Sequence, residues 1–250
     1  MGLTFSGMTK FTTVDYPGKL ACVLYLPTCL LRCPYCHNKA IAQGSRGEGL
    51  TEDDVKAFLK RRRGKLTGVV LSGGDPLCSP MYRLSSFIED VKGMGFSVKL
   101  DTAGVAHALT DVATLGMLDA IAIDLKLPPG RILKFMPQLR CSSDFPNAEV
   151  LQAFGRKAEE TLRMNIALLN IGRYSYKELR TTVHKSLLSE DDLIAIRDAY
   201  VTGDVPWYLQ QYVPCDGFNP ELKDRPTYTD DELKAIAGRL GAKVRNIKEN

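Results

Sequence analysis

No apolar run in this sequence approaches the length needed to cross a bilayer. Residues 1–20 carry Lys10, Asp15 and Lys19 and lack the apolar stretch of a secretion signal, so the expectation is a cytoplasmic chain whose thiols stay reduced. An excess of one charge is also lacking. A net charge of +4 over 250 residues is too mild to point to nucleic acid or an anionic membrane. The basic run Arg61-Arg62-Arg63-Gly64-Lys65 does not alter this, because it closes a predicted helix, where cations favour the dipole and face water. Internal repeats, low-complexity tracts and a second cysteine pair of the zinc-finger kind are absent as well. What is present is an ordinary globular composition, 44% apolar and 25% charged, which can bury a sizeable core.

Short β-branched runs alternate with segments of helical period. The predicted strands are 20–26, 67–71, 96–101, 119–124, 178–183 and 205–212. The predicted helices are 51–63, 80–93, 106–116, 148–169, 189–200 and 229–240. Thr51, Ser189 and Thr229 each precede an acidic first turn and read as N-caps. Apolar strands separated by helices point to a parallel sheet, and six β/α units give either an incomplete barrel or an open wound sheet. The rhythm breaks only at 127–147, where four prolines and no clean period predict a long loop or lid.

Seven cysteines, an odd number, argue against a disulfide framework. Three of them, Cys29, Cys33 and Cys36, fall in PTCLLRCPYCHN with the spacing C-x3-C-x2-C. Thiolates bind zinc or iron–sulfur clusters. A structural zinc site takes four closed ligands and a ferredoxin cluster takes four cysteines. Here a matching fourth is missing, and His37, adjoining Cys36, is poorly placed to close a tetrahedron. Three thiolates on a four-iron cluster leave one iron open to something other than protein, which is what a catalytic cluster needs. The intervening Arg32, Pro34 and Tyr35 are not a core pattern, and the loop follows a predicted strand, where α/β proteins place active loops. Cys22, within a strand, reads as core; Cys78, Cys141 and Cys215 are scattered, and His107 and His184 stand alone. A second segment, LSGGDPL at 71–77, also follows a strand, and its two glycines let a ligand approach the backbone closely.

This cysteine spacing after the first strand resembles the radical S-adenosylmethionine (SAM) superfamily. The resemblance implies a partial (β/α)6 TIM-like barrel in one domain over 1–250, with its core at 15–214 and a C-terminal helix and tail from 215. It implies a [4Fe–4S] cluster on Cys29, Cys33 and Cys36, with SAM chelating the open iron. One electron from the cluster would then split SAM and yield a 5′-deoxyadenosyl radical. By the same resemblance Tyr35 would lie against the adenine. Gly73, Gly74 and Asp75 would bind the SAM amino group, Asp75 standing where glutamate is usual.

KLDTAG at 99–104 and IDLK at 123–126 are similar to segments of glycyl-radical-enzyme activases. From that likeness Asp101, Thr102, Asp124 and the Ala122 carbonyl would hold a monovalent cation beside SAM. Lys126 would meet the SAM carboxylate, and Arg180 in ELRTTVH would contact SAM. Residues 11–38 and 207–222 resemble the activating proteins of anaerobic ribonucleoside-triphosphate reductase. The partners so implied are a glycyl radical enzyme, such as that reductase, and a flavodoxin- or ferredoxin-like electron donor. In two places the likeness fails: Gln211-Tyr212-Val213 stands where formate-lyase activases carry a histidine, and 127–147 matches nothing. Two rival readings remain at this stage. One is a radical SAM enzyme acting on a small molecule, as in 7-carboxy-7-deazaguanine synthase. The other is a non-catalytic iron–sulfur carrier or zinc module, with four protein ligands and no affinity for SAM.

Overall fold

The alternation read from the sequence becomes a layered α/β structure. The computed structural model describes residues 2–109, 116–137 and 148–245. The strands are β1 (Thr4–Phe5), β2 (Gly7–Thr12), β3 (Ala21–Leu26), β4 (Leu50–Thr51), β5 (Gly68–Gly73), β6 (Ser97–Thr102), β7 (Ala120–Asp124), β8 (Tyr176–Val183), β9 (Trp207–Gln211) and β10 (Lys243–Arg245). The helices of these residues are α1 (Lys39–Ala42), α2 (Glu52–Arg62), α3 (Met81–Gly93), α4 (Ala148–Ile171), α5 (Glu190–Tyr200) and α6 (Asp230–Leu240). One sheet runs β10-β9-β8-β7-β6-β5-β3-β2, parallel throughout except where β2 meets β3. Its two edges do not pair with each other among the described residues, so the barrel is incomplete.

The six predicted strands correspond to β3 and β5 to β9. The sequence reading misses β2, β10 and the short β1–β4 pair, because strands of two or three residues carry no measurable period, and GMTKFT in β2 is polar and half exposed. Most of the predicted helix 106–116 and the second half of the predicted loop 127–147 lie outside the described residues. The three predicted N-caps are capping boxes: Thr51, Ser189 and Thr229 accept from the N–H groups of Asp54, Asp192 and Glu232, whose carboxylates reach back.

Alternation along the parallel strands divides the interior into two cores. Val69, Leu71, Val98, Leu100, Ile121, Ile123 and Leu179 face the helices and belong to the large outer core. The opposite face carries a much smaller apolar plug of Tyr16, Ala21, Val23, Val70 and Ala120. The Asp15-Tyr16-Pro17-Gly18 segment thus has a structural use, since Tyr16, 1% exposed, fills the floor of the barrel at the N-terminal end of β3. Gly68 is small for the same reason: a Cβ there would lie 2.9 Å from the Tyr16 ring. Above the plug, toward the C-terminal strand ends, this inner face turns from apolar to charged.

Gly68→Ala should therefore force Tyr16 to move and lower stability by about 1–3 kcal/mol, the ordinary cost of overpacking. Urea denaturation of the two chains measures this, and an unchanged midpoint would refute the packing assigned to the barrel floor.

Candidate functional site

The cysteine loop, the glycine pair and the candidate residues of β6, β7 and β8 gather around one cavity. The cysteine loop leaves β3, the glycine pair leaves β5, and Asp101–Thr102, Asp124 and Arg180 lie on β6, β7 and β8. Together they line a cavity of about 200 Å³ bordered by Cys29, Cys33, Cys36, Tyr35, Gly73, Gly74, Asp101, Thr102, Asp124, Lys126 and Arg180. Two larger hollows, at 130–159 on one side and against α2 on the other, hold none of these groups.

The cysteine loop is built by its own backbone. Thr28, at φ +73°, is the non-glycine residue that takes a left-handed conformation among the described residues, a strain of about 1–3 kcal/mol. Its N–H and that of Cys29 donate to the carbonyls of Ile41 and Ala42 in α1, closing the loop. Cys36 N–H donates to the Cys33 carbonyl, and Leu31 N–H to the Cys29 sulfur at 3.3 Å. Arg32 braces the outside through the Cys29 and Leu31 carbonyls. Burial pushes the thiols of Cys29 and Cys33 up to about 12, and that of Cys36 upward as well. Tyr35 is 5% exposed, edge-on to Phe135 at 6.0 Å, with the Lys126 ammonium 5.7 Å from its ring centre. Its hydroxyl is buried without a hydrogen-bond partner.

The glycine pair fits against that loop. A Cβ on Gly73, at φ +116°, would lie 2.4 Å from the Leu26 backbone, and one on Gly74 2.1 Å from the Thr28 carbonyl oxygen. The glycines are therefore required by close approach to the chain's own backbone, besides any ligand. Asn38 ties the two loops through the Gly73 carbonyl at 3.0 Å.

Asp75 departs from expectation. It is 1% exposed and does not border the cavity. One oxygen accepts from Leu77 N–H at 3.0 Å and the Thr102 hydroxyl at 2.7 Å; the other accepts from Ala103 N–H at 3.0 Å. The carboxylate forms a latch between the β5 and β6 loops. A carboxylate on the short aspartate stem caps its own turn, through Leu77, before it can reach outward.

Below the cavity the charged inner face is fully paired. Lys99 donates to one oxygen of Asp101 at 2.6 Å, and Arg180 lies 3.4 Å from the other. Arg180 also holds one oxygen of Asp124 at 2.7 Å, while Lys126 holds the second at 3.2 Å. Glu178, 1% exposed, takes Arg245 at 2.7 Å, Arg180 at 3.6 Å and Lys99 at 4.0 Å. Burial would raise the Asp124 carboxyl, but Arg180 and Lys126 outweigh it and hold the group down to about 2. Burial likewise opposes the charge on Lys126, and Asp124 reverses this, holding it above the usual lysine range.

Sequence reasoning overlooked Lys99 and Glu178. The available signal was spacing: Lys99–Asp101 and Glu178–Arg180 stand two apart, which on a strand puts each pair on one face. Gln211 and Tyr212, at the position where a histidine is usual, turn away from the cavity: Gln211 bonds the Tyr228 carbonyl, and Tyr212 packs on His184. His184 itself is satisfied, accepting from Ser186 N–H and facing the Leu222 carbonyl. Of the segment 127–147, the described part packs onto the cysteine loop, with Phe135 against Tyr35 and its carbonyl accepting from Arg32 N–H.

The donor set suits a cluster more than a single ion. Among the described residues no three His, Cys, Asp or Glu side chains converge to hold one metal ion, whereas three cysteines border one wider cavity. Comparison with known proteins agrees. A family described as a 4Fe-4S single cluster domain matches residues 14–126. Over 244 residues the chain is 26% identical to a protein of Methanocaldococcus jannaschii whose assignment as a glycyl-radical enzyme activating enzyme is itself provisional; the match covers 95% of this chain and 91% of that one. Pyruvate formate-lyase-activating enzyme of Clostridium pasteurianum is 31% identical over 120 residues, 45% of this chain and 48% of its own length. The crystal structure of QueE from Escherichia coli shares the fold, with a TM-score of 0.55 at 14% identity, covering 97% of this chain and 92% of that one.

Asp124 sits near 2 when folded and near 3.9 when unfolded, so it contributes about 2 kcal/mol of stability above pH ~4 that disappears as pH falls toward ~2. Asp124→Asn should be destabilised relative to the parent at neutral pH, with the gap shrinking by about that amount at pH ~2. Urea unfolding at both pH values tests this; a gap independent of pH would show that Asp124 is not held by Arg180 and Lys126.

Proposed function

The chain belongs to the radical SAM superfamily, and from that premise we propose that it is an activating enzyme that installs a glycyl radical on a partner enzyme. The observation that carries this reading is the meeting of Cys29, Cys33 and Cys36 with Gly73, Gly74 and Lys126 across one cavity. Cys29, Cys33 and Cys36 would hold a [4Fe–4S] cluster. When bound, the cluster supplies the electron that cleaves SAM to methionine and a 5′-deoxyadenosyl radical, which abstracts hydrogen from a glycine of the partner.

The chain's own groups bind and orient. The Gly73–Gly74 backbone borders the cavity and leaves the methionyl part free to approach. Lys126 has three N–H donors, of which Asp124 takes one at 3.2 Å, so the others are available to a carboxylate. Tyr35 presents its ring to the adenine, and its unpartnered hydroxyl is a donor for a bound ligand. Asp75 acts at one remove, fixing Thr102 and Ala103 beside the glycine pair. The partner is a glycyl radical enzyme, and the N-terminal motif favours anaerobic ribonucleoside-triphosphate reductase. The electron donor in this reading is a flavodoxin- or ferredoxin-like protein, and the setting is the cytoplasm. Leu30 on the cysteine loop and Val213 just after β9 are exposed apolar side chains, at 43% and 46%, available to a protein partner.

The test is anaerobic. The chain is reconstituted with iron and sulfide, reduced and given SAM, and 5′-deoxyadenosine is measured; the candidate reductase is then added and a glycyl radical sought by EPR. Product and radical are the expected outcome, and Cys33→Ala should lose both while keeping its fold. A fully loaded cluster that yields no 5′-deoxyadenosine would sink the enzyme reading in favour of an electron carrier. Product without a glycyl radical would leave the reaction standing and reject this partner.

A further inference from the structure

The charged layer under the cavity conflicts with one implication of the family likeness. Asp101, Thr102, Ala122 and Asp124 are the residues expected to hold a monovalent cation, and none has an oxygen to offer. All four carboxylate oxygens of the two aspartates face cationic nitrogens: Lys99 and Arg180 on Asp101, Arg180 and Lys126 on Asp124. The Thr102 hydroxyl donates to Asp75 at 2.7 Å and accepts from Gly104 N–H at 2.9 Å. Ala122 lies inside the sheet, between Asp101 on β6 and Glu178 on β8, so its carbonyl is committed to the ladder.

We infer that this chain carries its own counter-cation: the guanidinium of Arg180 fills the place between Asp101 and Asp124, and SAM is bound without a monovalent metal ion. The inference rests on the proposed SAM binding and concerns how the chain supports it.

Three features make the guanidinium a sufficient substitute. Register places Arg180 directly opposite Asp124 on the neighbouring strand, and its planar fork spans from that carboxylate to Asp101. The small side chains of Ala120 and Ala122 on the intervening strand leave room for Lys99 and Arg180 to reach across the inner face. The charge count is already complete, with three carboxylates (Asp101, Asp124, Glu178) against four cations (Lys99, Lys126, Arg180, Arg245). A further cation would add positive charge to a buried layer that has an excess of it, and that excess suits a ligand carboxylate instead. Arg180 cannot relieve the crowding by losing its proton, since a guanidinium stays charged in proteins. It is a positioning residue that holds Asp124, and through it Lys126, at the cavity.

The test uses the full chain with its cluster reconstituted and left unreduced, so that SAM binds without turnover. The probes are Na⁺ and K⁺ themselves, against choline at equal ionic strength. Sodium NMR relaxation of the parent chain should show no saturable component displaced by K⁺, and its Kd for SAM should agree within about twofold in choline and in K⁺. Arg180→Ala opens both carboxylates, so it should bind SAM about tenfold or more weakly in choline, recover with Na⁺ or K⁺, and acquire the saturable sodium signal. Saturable sodium binding to the parent chain, or SAM affinity that falls in choline and returns with K⁺, overturns the inference. So does an Arg180→Ala chain that binds SAM normally in choline, or one whose loss no small cation restores. Should the variant fail to fold, the two measurements on the parent chain decide alone. Failure to bind SAM in any salt would count against the proposed function, and the sodium relaxation would still decide the counter-cation.

Discussion

Burying ions inside a parallel barrel is the constraint on which the rest of this structure depends. Such barrels normally fill their interior with branched apolar side chains. Here the apolar plug stops at Ala120 and Val70, and the next layer contains Lys99 and Glu178, each 1% exposed. Removing one member of a buried pair leaves an uncompensated charge and costs on the order of 3–5 kcal/mol, so the layer is stable only as a set. Its geometry comes from the strand period: residues two apart point inward together, and neighbouring strands set Asp124 beside Arg180. The layer then acts as a rigid platform. It presents Lys126 and the charged rim to the cavity at fixed positions, with side chains too mutually restrained to swing out.

Above the platform, precision comes from backbone contact. Thr28 is held in a left-handed conformation by its own N–H donating to the Ile41 carbonyl of α1 on one side and by the Asp75 N–H donating to its carbonyl on the other. Gly74 lies against the same carbonyl so closely that any side chain would collide with it. Asp75 then extends the chain of contacts to Thr102 and Ala103 on β6. The loop after β9 adds a further contact, since Gly217 fits where a Cβ would strike the Pro34 carbonyl, and the Cys215 thiol faces the Tyr35 carbonyl at 3.4 Å. The loops after β5 and β9 are thus locked to the cysteine loop directly, and the loop after β6 through Asp75. Flexible loops would leave the three thiols to find their spacing only when metal arrived.

The fold was largely legible because its signals are local and periodic. The six long strands, the three capping boxes and the break after Leu127 each announce themselves within a few residues. The cysteine loop was legible for the same reason, its chemistry being set by three residues in one turn of chain. What could not be read depends on partners far apart in sequence. Asp75 looks like a ligand residue until Thr102 and Ala103 are seen beside it. Arg180 looks like a cofactor contact until the register shows Asp124 opposite and Asp101 across an alanine. Lys99 in FSVKLD was invisible as a buried charge, because a lone lysine in a strand normally faces water. A second inward-facing charge two residues on, repeated in β8, was the trace it left.

The thiols bring the platform and the loops into one electrostatic account. Three thiolates in this pocket would add negative charge beside Asp124 and Asp75, and burial already pushes Cys29 and Cys33 up to about 12. Burial thus favours the neutral thiols over the thiolates. As ligands of iron, Cys29, Cys33 and Cys36 would give up their protons, since ligation neutralises the charge that burial disfavours. The paired charged layer and the backbone-locked rim fix the walls of the cavity. Facing the cavity are the groups that a cluster and its ligand would require: three sulfurs, the cations Lys126 and Arg180, and a wall of glycine backbone.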